Sequence, residues 1–438
     1  MKRSKMTAAG IAAVAALALT ACGGGGDAGG GGDATADGPI TLSISGWALN
    51  TTPEFQALAD AYHEENSDVT VEVTEYRDGN DYDTQIISDL AAGTAPDMYV
   101  LKNLNRLWTF QSGGQLVDVS DVAEGLDADV NGVDSYEIDG ATWAIPYRQD
   151  SWVLYYNKDL FDAAGVEHPD GSWTWDDYAE AAEELTGGLT DQGARGTYQH
   201  SWQSLVQGFA LAQTPDADLL SGDYGYLEPY YQRAIDLQDA GAQQSYGTVT
   251  TSSLTYQAEF GTQKAAMMPM GSWYIATLLA QQENGEAEDF AWGIAPAPQF
   301  DDSTAGTENT PVTFGDPTAF GINPAIDDAK LDAAKDFLAW AAGEGGATVL
   351  SELGVTPALS NDTVTETFFG LEGMPTDDLS KFAFATHDTR PENPVAAETA
   401  TVQAILNDAH SAIMSGSTPV GDGISEAEGR ASSEAGIG

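Results

Sequence analysis

Apolar side chains in the first hundred residues switch between two periods, and each period predicts one type of element. Where they occupy every second position the pattern predicts strands, at residues 41–46 (ending at Trp47) and 69–73, and the short apolar run 98–101 predicts another strand. Where they recur every three or four positions it predicts helices, at residues 53–66 and 82–92. This alternation of strand and helix favours a parallel sheet covered by helices.

The same kinds of segment return later in the chain. Residues 152–156 predict a strand, and residues 175–185 and 230–240 predict helices. No internal repeat is visible. About 400 residues follow the N-terminal region of the 438-residue chain, and that length is enough for two domains with separate hydrophobic cores.

The first 22 residues have the pattern of an export signal. Lys2, Arg3 and Lys5 precede an apolar run, Ile11 to Leu19, that is too short to span a bilayer. Cys22, the only cysteine, follows directly after Leu19-Thr20-Ala21. The segment resembles a bacterial lipoprotein signal, which implies cleavage before Cys22, lipidation of its thiol and an extracytoplasmic protein anchored to the cell membrane. An ordinary signal peptide with a chance cysteine is the alternative.

Composition changes sharply after the cysteine. Residues 23–32 are nearly all glycine and predict a flexible tether, taken here as residues 22–38. The whole chain has a formal charge of −52, and removal of three basic residues with the signal leaves 13 basic against 68 acidic residues, or −55. Such a surface repels nucleic acid and anionic membranes. The acidic residues are scattered, which favours a solvated acidic surface over a cation-storing one.

Motifs for metal or cofactor chemistry are weak or absent in the sequence. Residues 127–132 begin like an EF-hand calcium loop, but position twelve is Ile138, and Glu137 falls one residue short. The five histidines lack HExxH spacing, and there is no GxSxG, Walker A or helix-opening GxGxxG motif. We therefore expect no metal, no cofactor and no enzyme activity. A carboxylate pair for glycoside hydrolysis stays open, since only its separation in space would identify it.

Five stretches in order along the chain carry a resemblance to one family. They are residues 91–97 (AAGTAPD), 139–147 (DG…AIPY), 154–177 (LYYNKDLF…AG…WTWDD), 264–273 (KAAM…GSW) and 334–340 (AKDFLAW). Together they resemble the extracellular solute-binding proteins (family 1 type) of carbohydrate ABC importers, from about Thr41 to about Pro419. The resemblance implies an α/β fold of two lobes, each a helix-covered, mainly parallel sheet, joined by a hinge of several crossing strands.

The resemblance also implies discontinuous lobes. The signal peptide covers residues 1–21, the N-terminal lobe residues 39–149 and about 317–360, and the C-terminal lobe residues 150–316 and about 361–438. The ligand is expected between the lobes, beyond the carboxyl ends of the strands. Closure of the hinge on the ligand would then be the mechanism.

Sugar recognition requires aromatic faces for the C–H side of the ring and polar forks for the hydroxyls. Trp273, after Gly271-Ser272, and Trp47, beside the first strand, stand where the family commonly contacts ligand. Asp150 and Asp316 mark the two apparent crossings between the lobes. The full set of candidate ligand residues is Trp47, Asn103, Tyr147, Arg148, Asp150, Trp273, Asp316 and Arg390. Core packing is the alternative for the tryptophans, and a solvated carboxylate or a surface salt bridge for the charged residues.

The expected function is capture of a mono- or oligosaccharide by hinge closure and its delivery to the transmembrane subunits of an ABC permease. We expect a monomer that binds no nucleic acid and performs no chemistry on its ligand. The alternatives are a non-sugar solute bound by the same fold, a secreted glycan-active enzyme, or a non-transport adhesion or sensor lipoprotein.

Overall fold

The structure is a computed structural model that describes residues 38–49, 52–77 and 80–438. Cys22, the signal segment and residues 22–37 of the predicted tether lie outside the described residues. Among the helices of the described part, none has the length and apolar character needed to cross a membrane.

Strands and helices alternate along the described residues. The strands are β1 Ile40–Trp47, β2 Val69–Tyr76, β3 Met98–Leu101, β4 Glu137–Ile138, β5 Ala141–Thr142, β6 Ile145–Gln149, β7 Trp152–Asn157, β8 Arg195–Thr197, β9 Ala265–Gly271, β10 Trp292–Pro296, β11 Val312–Phe314, β12 Pro317–Ile322 and β13 Asp388–Arg390. The helices are α1 Glu54–Glu65, α2 Asn80–Ala92, α3 Leu107–Ser112, α4 Ser120–Ala123, α5 Lys158–Ala164, α6 Trp175–Gly188, α7 Ser204–Gln213, α8 Glu228–Asp239, α9 Tyr246–Thr251, α10 Tyr256–Gly261, α11 Tyr274–Asn284, α12 Asp328–Ala342, α13 Glu344–Glu352, α14 Asp362–Phe369, α15 Asp378–Ala385, α16 Thr399–Met414 and α17 Val420–Arg430.

The first sheet has the strand order β2-β1-β3-β12-β6. β1 pairs in parallel with β2 and with β3, so the parallel arrangement predicted for the first hundred residues is confirmed. β12 returns to this sheet from much later in the chain and runs antiparallel to both β3 and β6. Helices α1 and α12 pack against its strands.

The second sheet, in the order β10-β7-β9-β8, differs from the expected mainly parallel arrangement. β10 and β9 both run antiparallel to β7, and only β8 pairs in parallel with β9. Every residue of β7, β9 and β10 is buried, so the hydrophobic pattern does not alternate along these strands. Continuous apolar runs are typical of central parallel strands, and the sequence therefore could not reveal their direction.

Two separate hydrophobic cores hold the molecule together. The first draws on residues 42–147 and 319–364, and the second on residues 152–314 and 368–431. We call these two groups of residues the first lobe and the second lobe. The chain passes between them three times: at residues 148–151, the first crossing, at residues 315–318, the return crossing, and again at residues 365–367. The lobe limits given by the resemblance remain a prediction.

Candidate functional site

The first crossing presents different residues on its two sides. Successive side chains of extended backbone point in opposite directions. Gln149 and Ser151 line a large cavity on one side. Arg148 and Asp150 meet on the other side, where the Arg148 Nε donates to Asp150 Oδ2 at 2.6 Å. The predicted acidic residue of the crossing therefore points away from that cavity.

Asp150 belongs to a chain of buried polar groups. Arg148 Nη1 donates to both carboxylate oxygens of Glu54, at 2.9 and 2.8 Å. Asp150 Oδ1 accepts a hydrogen bond from the Ser272 hydroxyl at 2.8 Å. Burial acts to lower the pKa of Arg148, but the charges of Asp150 and Glu54 outweigh burial and hold that pKa above its ordinary value. The guanidinium is therefore firmly cationic.

Trp273 follows Ser272 directly and belongs to a cluster of aromatic rings. Its ring centroid lies 5.1 Å from Trp152 and 6.3 Å from Trp202. Trp202 also contacts His200 at 4.5 Å and Tyr256 at 5.7 Å. The side chain of Trp202 is 40% exposed, which is unusual for an indole and leaves part of its surface open to a ligand. We call Trp152, His200, Trp202, Tyr256 and Trp273 the aromatic platform.

His200 carries no positive charge at neutral pH. Burial lowers the pKa of His200 to about 4, so its imidazole is neutral. Its Nδ1 lies 2.8 Å from the Tyr198 hydroxyl. The platform therefore presents uncharged rings beside the buried Asp150 network, a combination of flat apolar faces and a nearby hydrogen-bond acceptor.

Trp47 and Asn103 lie at the carboxyl edge of the first sheet. Trp47 ends β1, with its ring 4.7 Å from Phe55 and edge-on to it. The Lys102 Nζ lies 4.1 Å from the centroid of the Trp47 ring, within the range of a cation–π interaction. Asn103 follows β3, and its side chain caps the next turn by accepting from the Asn105 amide at 3.1 Å. Both residues thus have protein contacts on the edge where ligands of α/β sheets bind.

The carboxylate of Asp316 joins segments of both lobes. It accepts from the Leu104 amide at 3.1 Å in the first lobe, and from the Glu392 amide at 2.8 Å and the Asn393 Nδ2 at 2.6 Å in the second. The Asn393 amide adds a fourth bond at 3.3 Å. Burial raises the pKa of Asp316 against the lowering effect of these hydrogen bonds. The protein's own donors thus occupy this carboxylate, and its contact with a ligand stays a prediction.

Tyr147 and Arg390 have structural contacts as well. Tyr147 is 1% exposed, stacks on Phe320 at 4.3 Å, and donates its hydroxyl to Glu54 Oε1 at 3.0 Å. That burial leaves no ring surface for a ligand, so Tyr147 packs the first lobe here. Arg390 is exposed, pairs with Asp388 at 3.0 Å, and donates Nη1 to the Ala212 carbonyl at 2.6 Å.

The large cavity has a volume of about 800 Å³ and contains none of the eight predicted ligand residues. Both lobes and both crossings contribute to it, through residues such as Gln149, Ser151, Pro317, Thr356 and His387. Its lining among the described residues includes no tryptophan, tyrosine, lysine or arginine. We therefore take the opposite side of the crossing, with its exposed indole, as the candidate site.

The EF-hand-like segment forms a turn. Asp127 Oδ1 accepts from the Asp129 amide at 3.0 Å, and Val130 pairs with Leu359. In the part of the chain that the structure describes, no three His, Cys, Asp or Glu side chains are grouped to hold a metal ion.

A family model described as "Bacterial extracellular solute-binding protein" matches residues 57–366, well over half of the chain. The chain belongs to the bacterial extracellular solute-binding proteins. The resemblance of the five sequence stretches to solute-binding proteins is thus confirmed.

Solved structures and curated relatives agree with this family. A sugar transporter from Rhizobium etli, in an open conformation, is 32% identical with a TM-score of 0.76, and the match covers 89% of this chain and 98% of that one. The predicted two-lobed α/β fold is confirmed. The Escherichia coli (strain K12) sn-glycerol-3-phosphate-binding periplasmic protein is 30% identical over 166 residues, or 35% of this chain and 36% of that protein. A putative binding protein of Brucella abortus (strain 2308) is 25% identical over 148 residues, or 31% and 33%. The chain thus spans about a third of the length of these two curated relatives.

Several residues at or near the candidate site of this solute-binding protein were missed from the sequence. Trp202 and His200 lie between β8 and α7, outside the recognised stretches, and no sequence pattern singled them out. Glu54 looks like an ordinary acidic residue in the first turn of a helix, and only the folded structure brings it to Arg148.

Proposed function

We propose that this protein captures a carbohydrate outside the cytoplasm and delivers it to the transmembrane subunits of an ABC permease. The observation that carries the proposal is the aromatic platform, with its exposed Trp202, next to the hydrogen-bonded pair of Ser272 and Asp150. The similarity of this protein to the Rhizobium etli sugar transporter, over nearly the whole length of that transporter, supports the proposal.

The platform and Asp150 suit the two sides of a sugar. Indole faces pack against the C–H groups of a pyranose, and a carboxylate accepts hydrogen bonds from its hydroxyls. Trp273 and Asp150 carry these roles in the proposal, together with Trp202. Trp47 and Asn103, at the edge of the first sheet, would meet the ligand from the other lobe when the hinge closes. Closure is favoured to the extent that the ligand binds the closed state more tightly than the open one.

A phosphate ester is the second candidate ligand, because of the similarity to the sn-glycerol-3-phosphate-binding protein. The charges near the site favour a neutral ligand. Arg148 already pairs with Glu54 and Asp150, and Arg390 pairs with Asp388 and the Ala212 carbonyl. The Lys102 ammonium lies over the Trp47 ring. Recognition of a phosphate normally uses a positive group directed at it. We therefore infer an uncharged mono- or oligosaccharide.

Location and partners follow from the family and from the N-terminal sequence. The protein works outside the cytoplasm. We propose that a lipid on Cys22 anchors it to the membrane, that it acts as a monomer, and that it releases the ligand to the permease unchanged rather than acting as a glycan-active enzyme.

A ligand screen with two tryptophan variants tests the proposal. Thermal-shift measurements against a carbohydrate panel that includes glycerol 3-phosphate should find a sugar that raises the melting temperature, since a ligand specific for the folded state stabilises it. Titration calorimetry should then give a loss in affinity of roughly tenfold, or ~1.4 kcal/mol, for Trp273→Ala and for Trp202→Ala. Trp108→Ala, at a comparably exposed indole in α3, is the matched control and should bind normally.

Three results would contradict this model. Stabilisation by glycerol 3-phosphate alone would replace the sugar with a phosphate ester. Unchanged affinity in both platform variants would remove the platform from the site, and turnover of an oligosaccharide would favour the enzyme alternative.

A further inference from the structure

The buried ionic chain at the first crossing suggests a role for a residue that makes no contact with the proposed ligand. We propose that Glu54 is a positioning residue for ligand binding: it fixes Arg148, and Arg148 in turn fixes the carboxylate of Asp150. This inference rests on the proposed function, because Asp150 is its ligand-facing member.

Glu54 holds one end of Arg148 rigidly. Its side chain is 2% exposed, and both of its carboxylate oxygens accept from Arg148 Nη1. Its Oε1 also accepts from the Tyr147 hydroxyl at 3.0 Å. A buried carboxylate without partners is very costly, so this arrangement strongly resists movement of any of the three groups.

Arg148 transmits that fixed position to Asp150. The guanidinium is planar, so immobilising Nη1 also determines where Nε points. Nε donates to Asp150 Oδ2 at 2.6 Å, and the Ser272 hydroxyl donates to Oδ1 at 2.8 Å. Both carboxylate oxygens are thereby oriented, and each keeps acceptor capacity for a further donor such as a ligand hydroxyl.

The network also spans the two lobes. Glu54 begins α1 in the first lobe, whereas Ser272 precedes Trp273 in the second. The Thr356 hydroxyl, from a first-lobe segment, donates to the Ser272 hydroxyl at 3.1 Å. Preorganised groups bind more tightly because less ordering remains to be done when the ligand arrives. Arg148, expected from the sequence to contact ligand, is therefore assigned to positioning as well.

A double-mutant cycle on the full chain separates positioning from general structural support. The variants are Glu54→Gln, Asp150→Asn and the double variant, with affinity measured by calorimetry using the tightest-binding sugar of the panel. Each single substitution should weaken binding roughly five- to tenfold. The double variant should bind no more weakly than Asp150→Asn alone, since coupled residues are not additive.

The proposal would be overturned if Glu54→Gln weakened binding by the same factor in the wild-type and Asp150→Asn backgrounds. A residue that only supports the fold would weaken binding equally whether or not Asp150 is present. Unchanged affinity in Asp150→Asn would overturn it too. Asp121→Asn, which removes the Lys335 ion pair elsewhere in the first lobe, is the control and should leave affinity unchanged.

Tyr147→Phe provides a milder second perturbation if Glu54→Gln fails to fold. It removes only the hydroxyl bond to Glu54, and should weaken binding two- to threefold in the wild-type background and not at all with Asp150→Asn. Equal weakening in both backgrounds would again overturn the proposal. A wild-type chain that binds no sugar overturns both this inference and the proposed function, whereas sugar binding without coupling overturns this inference alone.

Discussion

Glu392, beside Asp316 at the return crossing, should make the stability of the protein depend on pH. Burial raises the pKa of Glu392 from 4.5 to about 7, and the negative charge of Asp316 is a smaller cause of the same shift. A hydrogen bond with Ser204 acts in the opposite direction but is outweighed. The folded protein therefore keeps a proton on Glu392 at pH values where the unfolded chain has released it.

The sign and size follow from proton linkage. Below pH 4.5 both states hold the proton, and its full stabilisation is present; as pH rises through about 7 that stabilisation is lost. A difference of about 2.5 units, at 1.36 kcal/mol per unit, corresponds to a loss of up to ~3 kcal/mol across this window. Glu392→Gln keeps the shape and hydrogen-bonding ability of the protonated acid, but it cannot ionise.

Urea unfolding of both proteins between pH 4 and 8 tests this reasoning. The two should be about equally stable at pH 4, and the Gln variant should become more stable by ~2–3 kcal/mol at pH 8. The quantity to compare is the difference in unfolding free energy between the two proteins. The pKa values of His200 and His410 are both lowered to about 4, so these histidines make both proteins more stable as pH rises, and their effect cancels in the difference. A stability difference between the two proteins that stays constant from pH 4 to 8 would refute the raised pKa of Glu392.

Three further outcomes are expected. The melting temperature should be higher at ~1 M than at ~0.01 M salt, because salt screens repulsion within a chain of charge −52, and a flat response would contradict this. Gly196→Ala should destabilise by ~1–3 kcal/mol in urea unfolding, since its Cβ would lie 1.9 Å from the Ala182 carbonyl oxygen, whereas Gly187→Ala, with open space in a helix, should be neutral or stabilising. Cys22→Ala should remove the protein from the membrane fraction, and a variant still acylated there would exclude Cys22 as the site of the lipid anchor.

The sequence predicted local elements well because their signals are local. The apolar residues alternate in 41–46 and 69–73 because β1 and β2 each have one face that is more buried than the other. Both strands form at these positions, and they pair in parallel. β7 and β9 lack any alternation because both faces are buried, so their antiparallel pairing could not be inferred.

The site divides in the same way. Trp273 belongs to a recognisable stretch and Asp150 lies between two of them, and the structure links the two residues through Ser272. Glu54 lies 94 residues from Arg148 in sequence, and no local pattern indicates that contact. Asp316 was predicted to contact ligand from its place at a crossing, but the donors that reach it, such as Asn393, come from a segment that only folding brings near.

The cavity on the far side of the first crossing gives experimental access to the motion of the protein. It is bordered by both lobes, so a fluorescent dye placed there would experience a change in surroundings whenever the lobes rotate, without touching the aromatic platform. Ser360 lines this cavity and is exposed. Because Cys22 is the only cysteine, a chain starting at Gly38 with Ser360→Cys would have a single thiol for labelling. Such a molecule would convert ligand capture into an optical signal.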